Sequence, residues 1–205
     1  MKVKKGAVSL QDASMQKEAK LQKIQAARIK KHKANSAKEC ACIAVFVSLL
    51  IALQLALAAV PGVEVVTVLF VAYAFVFGMK RGMVAATAFS FLRQIIFGFF
   101  PTVFILYLLY YNGLTAFFGY LRGRGRLGKS KLGFVVLFAC IGTLCFSILD
   151  NILTPLWYGY TLKQTQIYFM ASLTVVIPQL ITTAFSVSLL FYPLEKVFGA
   201  VRKGL

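Results

Sequence analysis

Over residues 40–192 the sequence is a series of long apolar stretches separated by short turns. That pattern ties the chain to a lipid bilayer. A helix crossing about 30 Å of hydrocarbon at 1.5 Å per residue needs about 20 apolar residues. In lipid the backbone must satisfy its own hydrogen bonds, which a helix does without partners. Six stretches are candidates: residues 40–60, 64–77, 82–100, 101–120, 132–154 and 167–192. Pro61 and Gly62 end the first, Pro101 opens the fourth, and Pro178 is a candidate kink in the last. Composition agrees: 60% of the 205 residues are apolar and 14% are charged, against about 45–50% and about 25% in soluble domains. The expected fold is an all-α integral membrane protein with six transmembrane helices, a multi-pass protein of the cell membrane. The second and third stretches are short, so a re-entrant pair is the competing arrangement there.

Charge sets the orientation. A net charge of +17 first suggests nucleic acid, but a nucleic-acid site needs its basic residues gathered on one folded face. Here all but two of the 23 Lys/Arg lie in the N-terminal tail, the Lys80–Arg81 turn, the 122–131 loop and the C-terminal end. With six spans those segments share one side, and basic loops mark the cytoplasmic side. Both termini are therefore expected in the cytoplasm, with no nucleic-acid partner. The exceptions are Lys163, in an opposite loop, and Arg93, within a span. The organisation reads as a basic arm at 1–39 lying near anionic lipid, a six-helix domain at 40–200 and a short end at 201–205. The arm does not have the form of a cleavable signal, a short charged region followed at once by an apolar core.

Enzyme chemistry is not expected. The only histidine, His32, lies in the polar tail, and no Gly-rich nucleotide loop is present. Cys40, Cys42, Cys140 and Cys145 read as small packing residues, not a metal site. No cofactor is implied.

Ionisable groups within spans are costly and therefore informative. Glu64 opens the second stretch, Arg93 and Gln94 lie in the third, and Asp150 and Asn151 lie near the end of the fifth. Thr143, Ser147, Asp150 and Thr154 recur at helical spacing and share one face, and Gln179, Thr183 and Ser186 form another on the sixth. Trp157, Tyr158, Tyr160 and Tyr168 border the same region. These groups suit an outward-facing pocket for a small polar or aromatic solute, with Arg93 pairing a carboxylate, a phosphate or Asp150. The competing reading is a structural ion pair with interfacial aromatic anchors. On the first span Ser48, Ala52 and Ala56, with Ala44, make a row of small residues that lets another helix approach closely. That helix belongs either to a partner or to this chain. Gly78 and Gly82 repeat the spacing at a turn.

Three segments carry a resemblance to a known family. They are Pro61-Gly62-Val63-Glu64-Val65-Val66-Thr67, the turn bearing Phe77, Gly78, Arg81 and Gly82, and the run from Gly142 through Asp150 and Asn151 into an aromatic loop. With them, residues 40–200 resemble the substrate-binding S component of energy-coupling factor importers. The resemblance implies capture of a vitamin or related micronutrient near the outer face. It also implies docking through small residues of the first helix onto a transmembrane coupling subunit that works with two ATPase subunits. The arm is not part of it. The alternatives are a stand-alone ion-coupled transporter or channel, and a membrane scaffold that transports nothing.

Overall fold

The structure, a computed structural model, describes residues 36–59, 65–123 and 131–204. Most of the basic arm, residues 1–35, therefore lies outside the described residues, as do Glu64 and most of the 122–131 loop. The chain divides into two units, Met1–Cys42 with Leu205, and Ile43–Gly204. Of the first unit, residues 36–42 are described, and they are helical.

All regular structure among the described residues is helical. The elements are α1 (Ser36–Ala56), α2 (Val66–Phe77), α3 (Met79–Phe97), α4 (Pro101–Gly123), α5 (Lys131–Tyr158) and α6 (Leu162–Lys203). Each of the six apolar stretches forms a helix, and α1, α4, α5 and α6 are long and apolar enough to cross a membrane. The other two differ for separate reasons. The 12 residues of α2 reach about 18 Å, short of the hydrocarbon thickness. The 19 residues of α3 include Lys80, Arg81 and Arg93.

The run VTVLFVAYAFVF in α2 is apolar on every side, and such a helix belongs inside a protein. Every residue of α2 except Phe75 is buried, and α6, α4 and α3 pack around it. From α1, Phe46, Val47, Leu50 and Ile51 close the core. Phe46 stacks on Tyr73 at 4.0 Å and meets Phe70 and Phe198 edge-on. Burial from water adds no driving force between helices in lipid, so such shape-matched contacts hold the bundle. The outward faces are also apolar: Ile95 is 78% exposed and Phe185 68%. A chain apolar both inside and out suits lipid as its surroundings.

Glycines set the closest crossing. Gly78, between α2 and α3, has φ +90°, a conformation that L side chains rarely adopt. The backbone of α4 passes directly over this turn at Gly119. A Cβ there would overlap the backbone N and Cα of Met79 and lie 2.9 Å from Gly78 C. Gly82 faces Thr115 Cβ of α4 at 3.0 Å and Ala74 Cβ of α2 at 3.3 Å, measured from its own ideal Cβ. The Gly78/Gly82 pair therefore serves packing within this chain.

The same crossing gathers basic side chains. Arg122 Nη1 lies 3.0 Å from where a Gly78 Cβ would stand. Arg202 Nη1 donates to Val76 O at 3.3 Å, at the carbonyl end of α2. Arg81 stands over Phe77, 6.0 Å from the ring centroid. Three of the basic segments thus meet at one end of the bundle.

At the opposite end, α5 and α6 form a hairpin. The aromatic loop between the fifth and sixth stretches is shorter than their bounds, 154 and 167, imply. Helix α5 runs through Pro155 to Tyr158, Gly159 turns with φ +64°, and Thr161 begins α6 with a capping box. Gln164 N donates to Thr161 Oγ1, and Thr161 N donates to Gln164 Oε1 at 2.8 Å. Helix α6 then continues through Pro178 and Pro193 for 42 residues, about 63 Å along its axis. Its buried residues, Thr183, Ser186, Val187, Phe191 and Phe198, all lie in its C-terminal half.

Candidate functional site

The polar face expected on α5 is turned toward α6. Thr143 Oγ1 and Thr183 Oγ1 share a buried hydrogen bond at 3.3 Å. Farther toward the hairpin turn the two helices enclose a cavity of about 290 Å³, lined by Phe146, Ser147 and Asp150 of α5 and by Tyr168, Ser172 and Gln179 of α6 among others. That volume is at the small end of ligand pockets, about 300–1,000 Å³.

Asp150 is the charge in this cavity. Tyr168 OH donates to Oδ2 at 2.8 Å and Thr154 Oγ1 to Oδ1 at 2.9 Å. Both of these partners are hydroxyls, and each carboxylate oxygen keeps a free lone pair. Asn151 Nδ2 donates to Ser172 Oγ at 2.9 Å, tying the helices one turn along, and Asn151 Oδ1 is buried without a partner among the described residues. The Ser147 hydroxyl hydrogen is directed to Thr143 O at 3.1 Å, leaving its oxygen as an acceptor. The cavity therefore presents more acceptors than donors, together with a carboxylate. It suits a small solute that is cationic or rich in hydrogen-bond donors.

Of the residues expected to bind solute, Ser147, Asp150 and Gln179 line this cavity, and Asn151 braces it from behind. Trp157 and Tyr158 lie on the last turn of α5, 55% and 52% exposed, outside the lining. Arg93 and Gln94 are elsewhere, on α3. The Arg93 guanidinium carbon lies over two rings, 4.3 Å from the Tyr107 centroid and 5.0 Å from that of Phe97. Tyr107 packs edge-on against Phe146 at 5.8 Å, so Arg93 and the cavity connect through two aromatic rings. Glu64 lies outside the described residues.

The sequence marks Tyr168 only as one of the aromatics bordering the pocket or anchoring at the interface, and it does not mark Ser172. Both share a face of α6 with Gln179, at i, i+4 and i+11, so the periodicity already applied to Gln179 reaches them. The Tyr168 ring meets that of Tyr160 at 6.0 Å. Its hydroxyl points the other way, to Asp150.

Two further features bear on the site. A larger cavity of about 380 Å³ lies between α4 and α5, but its walls are almost wholly apolar, including Leu109, Leu114, Phe117 and Phe138. No group of three or more His, Cys, Asp or Glu that could hold a metal exists among the described residues. On α1, Ser48, Ala52 and Ala56 are exposed, on the side away from the buried Phe46, Val47 and Leu50. Comparisons with family models, with curated proteins and with solved structures returned no match.

Proposed function

We propose that this chain captures a small, donor-rich or cationic solute in the α5–α6 cleft, as the binding subunit of an importer powered by a separate ATPase module. The observation that carries this reading is Asp150. A carboxylate held by two hydroxyls and facing a cavity, on a helix long and apolar enough to cross a membrane, is expensive unless it serves a ligand. The finer assignment, an S component of an energy-coupling factor importer taking a vitamin-like micronutrient, draws on the resemblance in the sequence. The exposed row Ser48, Ala52 and Ala56 supports it, as a surface free for a coupling subunit. The test is mass spectrometry of small molecules released from the purified protein. A solute should be found, and Asp150→Asn should weaken its rebinding. A hydrogen bond to a charged group contributes about 1.5–3 kcal/mol, so the loss is about 10- to 100-fold. Thermal unfolding should change little. A chain that carries no solute, or an Asp150→Asn protein that rebinds it with unchanged affinity, would sink the reading. Solute flux by the chain alone in liposomes would favour the stand-alone transporter.

The proposal places the basic end in the cytoplasm, with six crossings and both termini inside. Lys163 and Lys203 stand near opposite ends of one helix, so they test it directly. In a background without native cysteines, Lys163→Cys should react with an impermeant maleimide applied outside whole cells. Lys203→Cys should react only after the membrane is opened. Labelling of both from the same side contradicts the topology.

A further inference from the structure

We propose that Arg93 is the centre of an oxyanion site, distinct from the Asp150 cleft, that takes a carboxylate or phosphate group. The rings of Phe97 and Tyr107 cover the guanidinium, 5.0 Å and 4.3 Å from its carbon. Aromatic rings attract the cation but are not conventional hydrogen-bond acceptors, so the guanidinium N–H groups still need acceptors. Nε and Nη1 are both buried, and neither has a hydrogen-bond partner among the described residues. A fixed guanidinium plane with an unused donor edge is the geometry that a carboxylate or phosphate meets with two parallel hydrogen bonds.

The neighbours fit the same ligand. Gln54 of α1 donates through Nε2 to the Tyr107 hydroxyl at 3.1 Å, and its Oε1 is buried without a partner among the described residues. A half-turn of that amide lets Tyr107 OH donate to Oε1 and turns the Gln54 NH2 into a further donor. Gln94 Nε2 is also buried without a partner among the described residues, while its Oε1 accepts from Phe100 N at 3.1 Å. Unused donors thus concentrate near one end of α3, away from Lys80 and Arg81 at its other end. Buried charged donors left without acceptors are strongly unfavourable, and a bound oxyanion removes that cost. The anion is either a dissolved solute or a lipid headgroup, since both offer the same oxygens.

The experiment compares wild type with Arg93→Met, Arg93→Lys and Glu64→Gln, each purified in neutral detergent. Thermal unfolding is followed in sodium phosphate, sodium benzoate and sodium chloride at equal ionic strength. Native mass spectrometry then measures retention of added phosphatidylglycerol. Wild type should be stabilised by phosphate or benzoate over chloride, or should retain phosphatidylglycerol. Arg93→Met should lose that response, and Arg93→Lys, which keeps the charge without the planar fork, should bind about tenfold more weakly. Stabilisation by phosphate or benzoate identifies a dissolved oxyanion, and retention of phosphatidylglycerol alone identifies a lipid headgroup. Should Arg93→Met not fold, the comparison of Arg93→Lys with wild type decides. Equal responses of wild type and Arg93→Lys overturn the proposal, and so does wild type showing no response to any of the three probes. A Glu64→Gln protein that loses stability as Arg93→Met does, with no anion response in wild type, makes Glu64 the internal counter-ion and also overturns it. None of these readouts depends on the Asp150 cleft.

Discussion

Replacing Gly119 with alanine should cost the protein more stability than the same change at any other described glycine. The new Cβ would enter the backbone of Met79 and come within 2.9 Å of Gly78 C. Overpacking against side chains costs typically about 1–3 kcal/mol, because rotamers can shift. Backbone cannot rotate away, and the Gly78 turn is already held at φ +90°. We therefore expect a loss of about 3 kcal/mol or more, seen as a sharply lower unfolding temperature or loss of folded protein in detergent. Gly113→Ala, on the same helix, is the control. Nothing lies within 4 Å of its added Cβ, and alanine is favoured over glycine in a helix by about 1 kcal/mol. It should fold as well as wild type or better. If Gly119→Ala unfolds at the wild-type temperature, α4 does not cross the α2–α3 turn at this contact.

Gly119 also marks where sequence reading stops. A lone glycine inside an apolar run has no periodicity, and its meaning comes from a helix far away in the chain. Gly78 and Gly82 were visible as a spaced pair, but the spacing alone did not say whose helix they admit. The apolar runs were legible because hydropathy over about 20 residues is a property of each segment by itself. The central place of α2 was implicit in the same way, since VTVLFVAYAFVF has no polar side to give to water. Helix ends were less legible. The start of α6 is signalled by Thr161 and Gln164, a capping pair hidden among aromatic residues that read as an interfacial loop. On α5 the face of Thr143, Ser147, Asp150 and Thr154 was readable from periodicity, and the structure turns it to α6. Which groups meet across helices was not readable. The sequence offers Asp150 as one partner for Arg93. Instead Tyr168 and Thr154 take the carboxylate, and Tyr107 and Phe97 take the cation.

Ala52→Trp should abolish uptake and co-purification with a coupling subunit while leaving solute binding intact. The row Ser48, Ala52 and Ala56 is exposed, whereas Phe46, Val47, Leu50 and Ile51 on the same helix are buried against this chain. A large side chain at Ala52 therefore has room in the isolated protein, and lipid accepts an apolar ring as readily as it accepts leucine. The effect should appear only when another helix must lie against the row. Helices in lipid associate through close packing, and a ring that holds two backbones apart forfeits many contacts of about 0.1–0.2 kcal/mol each. An indole replaces a methyl group, so the loss is collective and should be complete in a co-purification assay. Uptake should fall to background, with solute affinity within about twofold of wild type, because the Asp150 cleft is built by α5 and α6 and not by α1. Three outcomes separate the possibilities. Loss of folding or of solute binding would place the row in internal packing after all. Normal uptake and normal co-purification would leave it facing lipid with no part in docking. Loss of partner and uptake with binding preserved would identify the surface through which this chain is driven.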